Sequence, residues 1–575
     1  MSVRAGRAQQ LRLREHQLFL ALTIVIGIIA GLAAVLFTVA IDQVSHRLFG
    51  LAPSRARLFV VPPLVSIVTG ILLAKVFPDV RGSGVPQTEA AYRLAGGVIQ
   101  GRVPFGKFVT GVLCIGSGHS MGREGPSVQI GAGLASVVGR WLRLSPQRVR
   151  DLVPVGAAGA LSAAFNTPVA AVLFALEEII GDMNAALIGS TVVASVAAVI
   201  VERSILGNEP LFHVPTYRLV HPAELVAYAV LGVSGGLVSL VFCKGLLAMR
   251  ALFLRLPTGS RILQPAIGGL VIGGILLYSP AIMGVGYEYV DQALNGGLLW
   301  KTMAVLCFLK LGATIVSYAS GNAGGIFAPS LYIGAMAGGA IGIVVHRLAP
   351  FPTADPGAYA LVGMGTLFAG IIRAPMTSVF MIFEITQDYQ ILVPLMVANL
   401  LSFVISKRYQ PTPVYHALLH QDGIHLPSAA THAAKRARTA RHVMQAEADL
   451  IPPDVSIEDA GRWARDHLGP IYLVGTRDHL LGTVTRQQLE EWMTNERQPV
   501  PLSTLVKNSF IHAHPDHTID VVLDRLSQSG GVLPVVSRTA IRRLEGVITA
   551  DSLLRLPTRH RAKNASKQGE TRSSA

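Results

Sequence analysis

A single carboxylate, Glu124, sits in Gly122-Arg123-Glu124-Gly125-Pro126 within an otherwise apolar stretch. An ionisable group in that setting is costly and usually functional. Glycine on either side clears room around it, and Pro126 predicts a helix starting just beyond it. The chemistry on offer is ionic rather than covalent. As a carboxylate Glu124 can occupy an anion site; as an acid it can take a proton, withdraw and expose that site. Two other places offer neutral donors. Gly82-Ser83-Gly84-Val85-Pro86 puts a hydroxyl between glycines ahead of a proline, where exposed N–H groups at a helix start would form an anion nest; a simple turn is the alternative. In Gly324-Gly325-Ile326-Phe327-Ala328-Pro329 two glycines allow close backbone approach, so the N–H groups of Ile326 and Phe327 can aim at a ligand; the alternative is a glycine hinge that only packs helices. Neutral donors at positive helix ends can replace the water of a weakly hydrated anion without trapping it behind a full opposing charge.

A fourth constellation is Glu177-Glu178, after the apolar run Val169–Leu176. Adjacent residues point about 100° apart on a helix, so the two cannot share one environment. Either one faces a vestibule and the other protein, or the pair is an ordinary charged helix end.

The elements that must position these groups are membrane helices. Of 575 residues, 51% are hydrophobic and only 14% charged, against about a quarter charged in a soluble chain. Mean hydropathy is +0.48. Apolar runs recur from about Leu18 to about Val404, including Leu18–Ile41, Leu58–Leu73, Leu187–Val201, Leu225–Phe242, Ile262–Leu277 and Ile391–Val404. Several reach the roughly 20 residues that span a bilayer, and others are short and glycine-rich. A cleaved signal peptide is not expected, because the first run is long and many follow it. The net charge of +15 does not indicate nucleic-acid binding. Arg4, Arg7, Arg12 and Arg14 precede the first span and Lys435, Arg436, Arg438 and Arg441 follow the last, the pattern of cytoplasmic flanks. Cys114, Cys243 and Cys307 lie far apart in apolar stretches and read as core residues. With no metal cluster, nucleophilic triad or phosphate loop of the required spacing, an enzyme is not indicated.

The membrane region repeats itself. Gly122 to Ala132 aligns with Gly325 to Ala335, 203 positions on, with Gly, Pro, Ser, Ile, Gly and Ala in register. Pro168 to Glu177 aligns with Pro375 to Glu384, 207 positions on, and a glycine (Gly156 or Gly363) stands twelve residues before each proline. Phe327 is thus the counterpart of Glu124, and Glu384 that of Glu177. Duplicated halves with glycine- and proline-interrupted apolar segments indicate a transporter whose substrate sits where broken helices meet. After Lys407 a connector leads to a soluble region that also repeats. Pro453-Asp454 to Glu458 pairs with Pro515-Asp516 to Asp520, and each copy continues into Ile471–Val474 or Gly531–Val536, then Leu481–Thr485 or Leu544–Thr549. Two small α/β modules are expected, and they resemble a tandem of cystathionine-β-synthase (CBS) domains.

Over nearly all of residues 18–420 the chain resembles the CLC family of chloride channels and chloride/proton exchangers, through its three glycine signatures in order. The resemblance implies an all-α polytopic membrane domain built from two inverted repeats, plus a cytosolic α/β tandem CBS domain, working as a homodimer with a pore in each subunit. The implied divisions are a cytosolic N-terminus (1–17), the transmembrane domain (18–420, repeats about 18–205 and 221–405), a linker (421–438), CBS modules at 439–497 and 498–556, and a basic disordered tail (557–575). Ser83, Ile326, Phe327 and Tyr415, the last in Pro413-Val414-Tyr415, match the family's chloride-binding positions. Glu124 matches the external gating glutamate, and Glu178 the internal proton-transfer glutamate typical of exchangers. Lys107, seventeen residues before Glu124, fits a basic residue near the path. His119 reads as a loop or vestibule histidine and is given no role. Serine at position 83 resembles the chloride-selective members rather than the nitrate-preferring ones.

These matches favour chloride/proton antiport across the cytoplasmic membrane, with both termini and the CBS pair in the cytosol and bilayer lipids as surroundings. A passive chloride channel gated by Glu124 is the alternative, and a CBS-based membrane sensor leaves the duplicated motifs unexplained. No cofactor is expected in the membrane domain. An adenine nucleotide at the CBS pair is one expectation, and a structural role in dimer contact is the equal alternative. The resemblance to a nucleotide site is weakened, because the aspartate usual three residues beyond a Gly-apolar-apolar-Thr segment is Gln488 in one copy and Ser552 in the other, with Asp551 one residue early.

Overall fold

The computed structural model describes residues 2–50 (side chains from Leu18 on), 52–181, 185–207, 211–212, 214, 220–387, 389–426, 439–467, 469–495, 500–506 and 509–554. The side chains of Arg4, Arg7, Arg12 and Arg14, the linker bases Lys435, Arg436 and Arg438, and the tail 557–575 lie outside the described positions. The chain divides into two units, Met1–Leu426 and Pro427–Ala575.

The first unit is built of helices: α1 (Ser2–Phe49), α2 (Arg55–Ile71), α3 (Val85–Leu94), α4 (Arg102–Gly116), α5 (Glu124–Trp141), α6 (Pro146–Phe165), α7 (Pro168–Phe174), α8 (Ala185–Leu206), α9 (Glu224–Arg255), α10 (Gln264–Tyr278), α11 (Tyr287–Leu294), α12 (Trp300–Ala319), α13 (Phe327–Leu348), α14 (Pro356–Ile371), α15 (Pro375–Thr386), α16 (Leu392–Tyr409) and α17 (Val414–Gln421). Among the described residues seven helical stretches are long and apolar enough to cross a bilayer, while α10, α14 and α15 are apolar but shorter. Side chains exposed on α9 and α16, such as Val226, Val241, Met396 and Leu400, are apolar, which suits lipid rather than water. The protein is a multi-pass membrane protein.

The repeated glycines mark helix crossings. A Cβ on Gly131 of α5 would run into the Gly156 carbonyl of α6, and one on Gly156 would run into the Gly131 carbonyl. In the second sequence copy Gly334 of α13 and Gly363 of α14 stand in the same reciprocal relation. Small residues at both faces let the backbones touch, where lipid supplies no hydrophobic drive for association.

One local expectation is corrected. The helix begins at Glu124 itself rather than beyond it, with Pro126 inside the first turn. A first-turn N–H has no intrahelical acceptor, so proline there costs no helical bond.

Among the described residues the second unit holds two sheets. In the first, β1 (Leu450–Ile451) runs parallel to β2 (Ile471–Gly475), which pairs antiparallel with β3 (Leu480–Thr485); in the second, β4 (Val532–Val536) pairs antiparallel with β5 (Leu544–Thr549). Helices Ile457–Asp466 and Ile519–Gln528 precede β2 and β4. Reciprocal 2.7 Å bonds, Leu480 N–H to Arg542 and Leu544 N–H to Arg477, tie the sheets together, with Leu473, Leu480, Val536 and Leu544 clustered across the join.

Candidate functional site

The three glycine motifs come together at one place. Gly82 donates its N–H to the Asn322 carbonyl at 3.2 Å, and Gly324 donates to the Gly82 carbonyl at 3.1 Å. Gly122 and Gly325 exchange bonds of 2.8 and 2.7 Å in an antiparallel bridge. These bonds satisfy backbone groups that broken helices leave open at membrane depth. A Cβ on Gly125 would meet Ser83 Oγ at 2.5 Å, so the first motif is pressed against the second.

Ser83 lies just before α3, between glycines in the left-handed region (φ +79 at Gly82 and +102 at Gly84). The amide nest expected here is already occupied. Gln87 Oε1 accepts the Gly84 N–H at 2.9 Å, and the Ser83 N–H points at the Tyr318 phenol at 3.4 Å. What remains free is the hydroxyl: among the described residues, buried Ser83 Oγ has no hydrogen-bond partner of proper geometry. Tyr415, in the first turn of α17, is also buried, and among the described residues its phenol has no hydrogen-bond partner of proper geometry either. The two side chains approach one another across α3 and α17. Two neighbouring hydroxyls without a partner of proper geometry can both donate to an acceptor-only species. Lys107 does not offer its charge to that point. Its buried Nζ donates to the carbonyls of Val80 (2.8 Å) and Gly82 (2.6 Å) and braces the loop that carries Ser83.

Ile326 and Phe327 are buried at the start of α13, and the Phe327 ring packs among Phe165, Phe174 and Phe368 with centroids 4.4 to 5.6 Å away. Neither amide makes a backbone hydrogen bond among the described residues, as expected for the open N–H groups of a helix start. The carboxylate of Glu124 is buried beside this helix end. Its Oε1 accepts from the Tyr287 phenol at 2.6 Å, whereas Oε2 makes no hydrogen bond of proper geometry, although the Ala328 amide faces it. A negative group there is held by the positive end of the α13 dipole.

Glu177 and Glu178 separate as adjacent helical residues must. Glu177 caps α15, accepting from the N–H groups of Met376 (3.1 Å) and Thr377 (2.8 Å) and from the Thr377 hydroxyl (2.6 Å). Glu384 returns the arrangement by capping α7, through Val169 N–H at 2.9 Å and Ala170 N–H at 2.7 Å. Glu178 instead is within electrostatic reach of Glu89, Arg93 and Arg373. Glu89 is buried in α3, ion-paired with Arg93 at 3.0 Å and bonded to His416 Nε2 at 2.9 Å. Tyr415 is within electrostatic reach of both Glu178 and Glu124.

His119 lies in the loop between α4 and α5, as expected, but inside the protein rather than in a vestibule. It is buried, with Nε2 at 2.7 Å from Ser66 Oγ and Nδ1 at 3.3 Å from Ser317 Oγ, bridging two helices. Sequence reasoning missed Tyr287, Glu89, His416 and Lys310. Lys310 had a readable signal, standing seventeen residues before Phe327 as Lys107 stands before Glu124.

The family described as voltage gated chloride channel matches residues 64–407, more than half of the chain. The chain belongs to this CLC family. Its relatives include a ClcB-like chloride channel protein of Ralstonia nicotianae, 32% identical over 430 residues (72% of this chain and all of the relative). The H(+)/Cl(-) exchange transporter ClcA of Vibrio campbellii is 31% identical over 411 residues (69% of this chain, 88% of the relative). Among solved structures, a slow cyanobacterial Cl-/H+ antiporter superposes with a TM-score of 0.65 at 28% identity, covering 70% of this chain and 97% of its own. A eukaryotic CLC transporter shares the fold at 19% identity and a TM-score of 0.60, covering 93% of this chain and 97% of its own. CLC members are transporters or channels, so this chain is not an enzyme.

Proposed function

We propose that this CLC chain is a chloride/proton antiporter. The observation that carries the reading is the pair of buried hydroxyls, Ser83 and Tyr415, left without a partner of proper geometry among the described residues, with Tyr415 in electrostatic reach of two carboxylates. Chloride accepts from these hydroxyls and from the open amides of Ile326 and Phe327. Glu124, at the head of α5, competes with chloride for the positive end of α13 while ionised and leaves when protonated. Glu178 takes protons on the other side and passes them toward Glu124, so that the two ions move in opposite directions. Lys107 holds the Ser83 loop in place. The ClcA relatives and the cyanobacterial antiporter are named for this exchange, which supports it over the passive channel that the ClcB-like name favours.

The same reading makes the two halves inverted repeats, places the protein in the cytoplasmic membrane as a homodimer with one pore per subunit, and puts both termini in the cytosol. It takes the second unit as a CBS pair, supported by the matching helix–strand–strand order of its halves. A nucleotide there is disfavoured. Gln488 accepts from the Thr485 N–H at 3.0 Å, and Ser552 accepts from the Thr549 N–H at 2.8 Å, so both side chains at the ribose positions cap their own helices.

Purified protein in vesicles under a chloride gradient tests the exchange. Chloride should drive protons uphill, and Glu124→Gln and Glu178→Gln should each abolish proton movement while chloride still flows. Chloride flux with no proton movement in the wild type would leave the passive channel as the reading.

A further inference from the structure

The loop that carries Ser83 has a counterpart in the second half that the glycine signatures do not announce. Lys107 braces it through the carbonyls of Val80 and Gly82; Lys310 braces residues 282–284 through the carbonyls of Ile282 (3.0 Å) and Gly284 (2.7 Å). The lysines are 203 positions apart and the accepting carbonyls 202. Gly82-Ser83-Gly84 becomes Gly284-Val285-Gly286, with Gly286 at φ +80 where Gly84 is at +102. That left-handed turn suits glycine, and a Cβ on Gly286 would also strike the Tyr332 ring at 2.8 Å. As α3 starts at Val85, α11 starts at Tyr287. The first loop delivers a hydroxyl at Ser83. The second delivers one two positions later, at Tyr287, whose phenol donates to Glu124 Oε1 at 2.6 Å.

The setting holds the phenol in that direction. Phe212 packs edge-on to the Tyr287 ring at 5.2 Å, and the Arg123 guanidinium lies 5.6 Å from its centroid. The charged and titratable groups that face Glu124 are Arg123 beside it, Tyr287 on α11, Lys310 on α12 and Tyr415 on α17. Lys310 is occupied by its two carbonyls, and Tyr415 makes no hydrogen bond. Tyr287 is therefore the side-chain donor that touches the carboxylate.

We propose that Tyr287 is a positioning residue, a latch that holds the ionised Glu124 in the path and sets the pH at which it leaves. A phenol O–H can donate to either form of the acid, but the bond is stronger to the carboxylate, so the latch favours the ionised form. Removing the donor makes protonation easier, and the protein should open at higher pH. The proposal rests on Glu124 as gate and is independent of whether protons are counter-transported.

The test is Tyr287→Phe, read in two ways. In vesicles, the pH profile of chloride flux should move to higher pH by roughly one unit, with turnover on the alkaline side rising up to about tenfold. Infrared difference spectra in detergent should show the Glu124 carboxylic acid band, identified by its loss in Glu124→Gln, persisting to correspondingly higher pH. Adding Tyr287→Phe to Glu124→Gln should change nothing in either measurement. An unmoved infrared titration, or an equal flux change in both backgrounds, would overturn the latch. A shifted chloride profile in a protein that moves no protons would overturn the antiport reading and leave the latch standing.

Discussion

Two sets of carboxylates in the membrane unit are treated in opposite ways. Glu177 and Glu384 have both oxygens engaged on the open amides of α15 and α7, each reaching from one sequence copy into the other. Glu124 and Glu89 are more deeply buried, yet each keeps one oxygen without a hydrogen bond, while the other oxygen is held by Tyr287 or by Arg93 and His416. A buried polar atom without a partner is destabilising, and under the proposed exchange the free lone pair is what lets Glu124 take a proton or yield to an anion. Closed pairs hold the fold, and the proposal puts the moving ions at the open ones.

The comparison breaks most readily at the closed pairs. Glu177→Ala leaves two helix-start amides and a threonine hydroxyl uncapped and should cost about 2 kcal/mol. Glu384→Ala should cost about as much. Thermal unfolding in detergent measures both, and Glu177→Gln, which keeps one acceptor, should fall between wild type and alanine. The ratio of ions moved by the folded fraction should not change. A changed ratio at unchanged stability would place Glu177 among the open groups.

The open hydroxyls should behave in the reverse way. Ser83→Ala and Tyr415→Phe remove groups that make no hydrogen bond, so unfolding should be nearly unmoved or slightly delayed. Chloride binding measured by calorimetry should weaken by roughly tenfold, the worth of one hydrogen bond to an anion. Loss of stability with intact chloride affinity would make these hydroxyls structural.

The broken-helix architecture was legible because small residues at crossings and helix breaks have few substitutes; Gly131, Gly156, Gly334 and Gly363 repeat in sequence since their helices touch backbone to backbone. Ser83 and Glu124 were legible for the same reason, lying inside such motifs. The separation of Glu177 from Glu178 followed from helical geometry, but which one capped a helix did not, because the acceptor's partner lies in the other half. Tyr287 and His416 were hidden because a tyrosine or histidine at a helix start carries no local signature; its meaning comes from a carboxylate 163 or 327 positions away. His119 lies in a loop as expected, but its burial was hidden because its serine partners come from α2 and α12, which no spacing in sequence connects.

The smallest effect belongs to the second unit, where solvent removes the reason for either treatment. Arg538 grips Asp516 in a forked pair, Nε to both carboxylate oxygens at 2.9 and 3.0 Å, with both side chains more than half exposed. This contact holds the Asp516 carboxyl below the usual carboxylate range. The sign follows from that direction: any stabilisation is present above the ordinary carboxylate value, about pH 4, and disappears as pH falls through the lowered one. Because exposed pairs contribute little and are screened by salt, Asp516→Asn should barely change amide hydrogen exchange in helix Ile519–Gln528 of the full chain at neutral pH. What difference there is should shrink in high salt and vanish in acid. A large, salt-insensitive loss of protection would mean that the pair is closed against water in the assembled protein, as Glu177 and Glu384 are in the membrane unit.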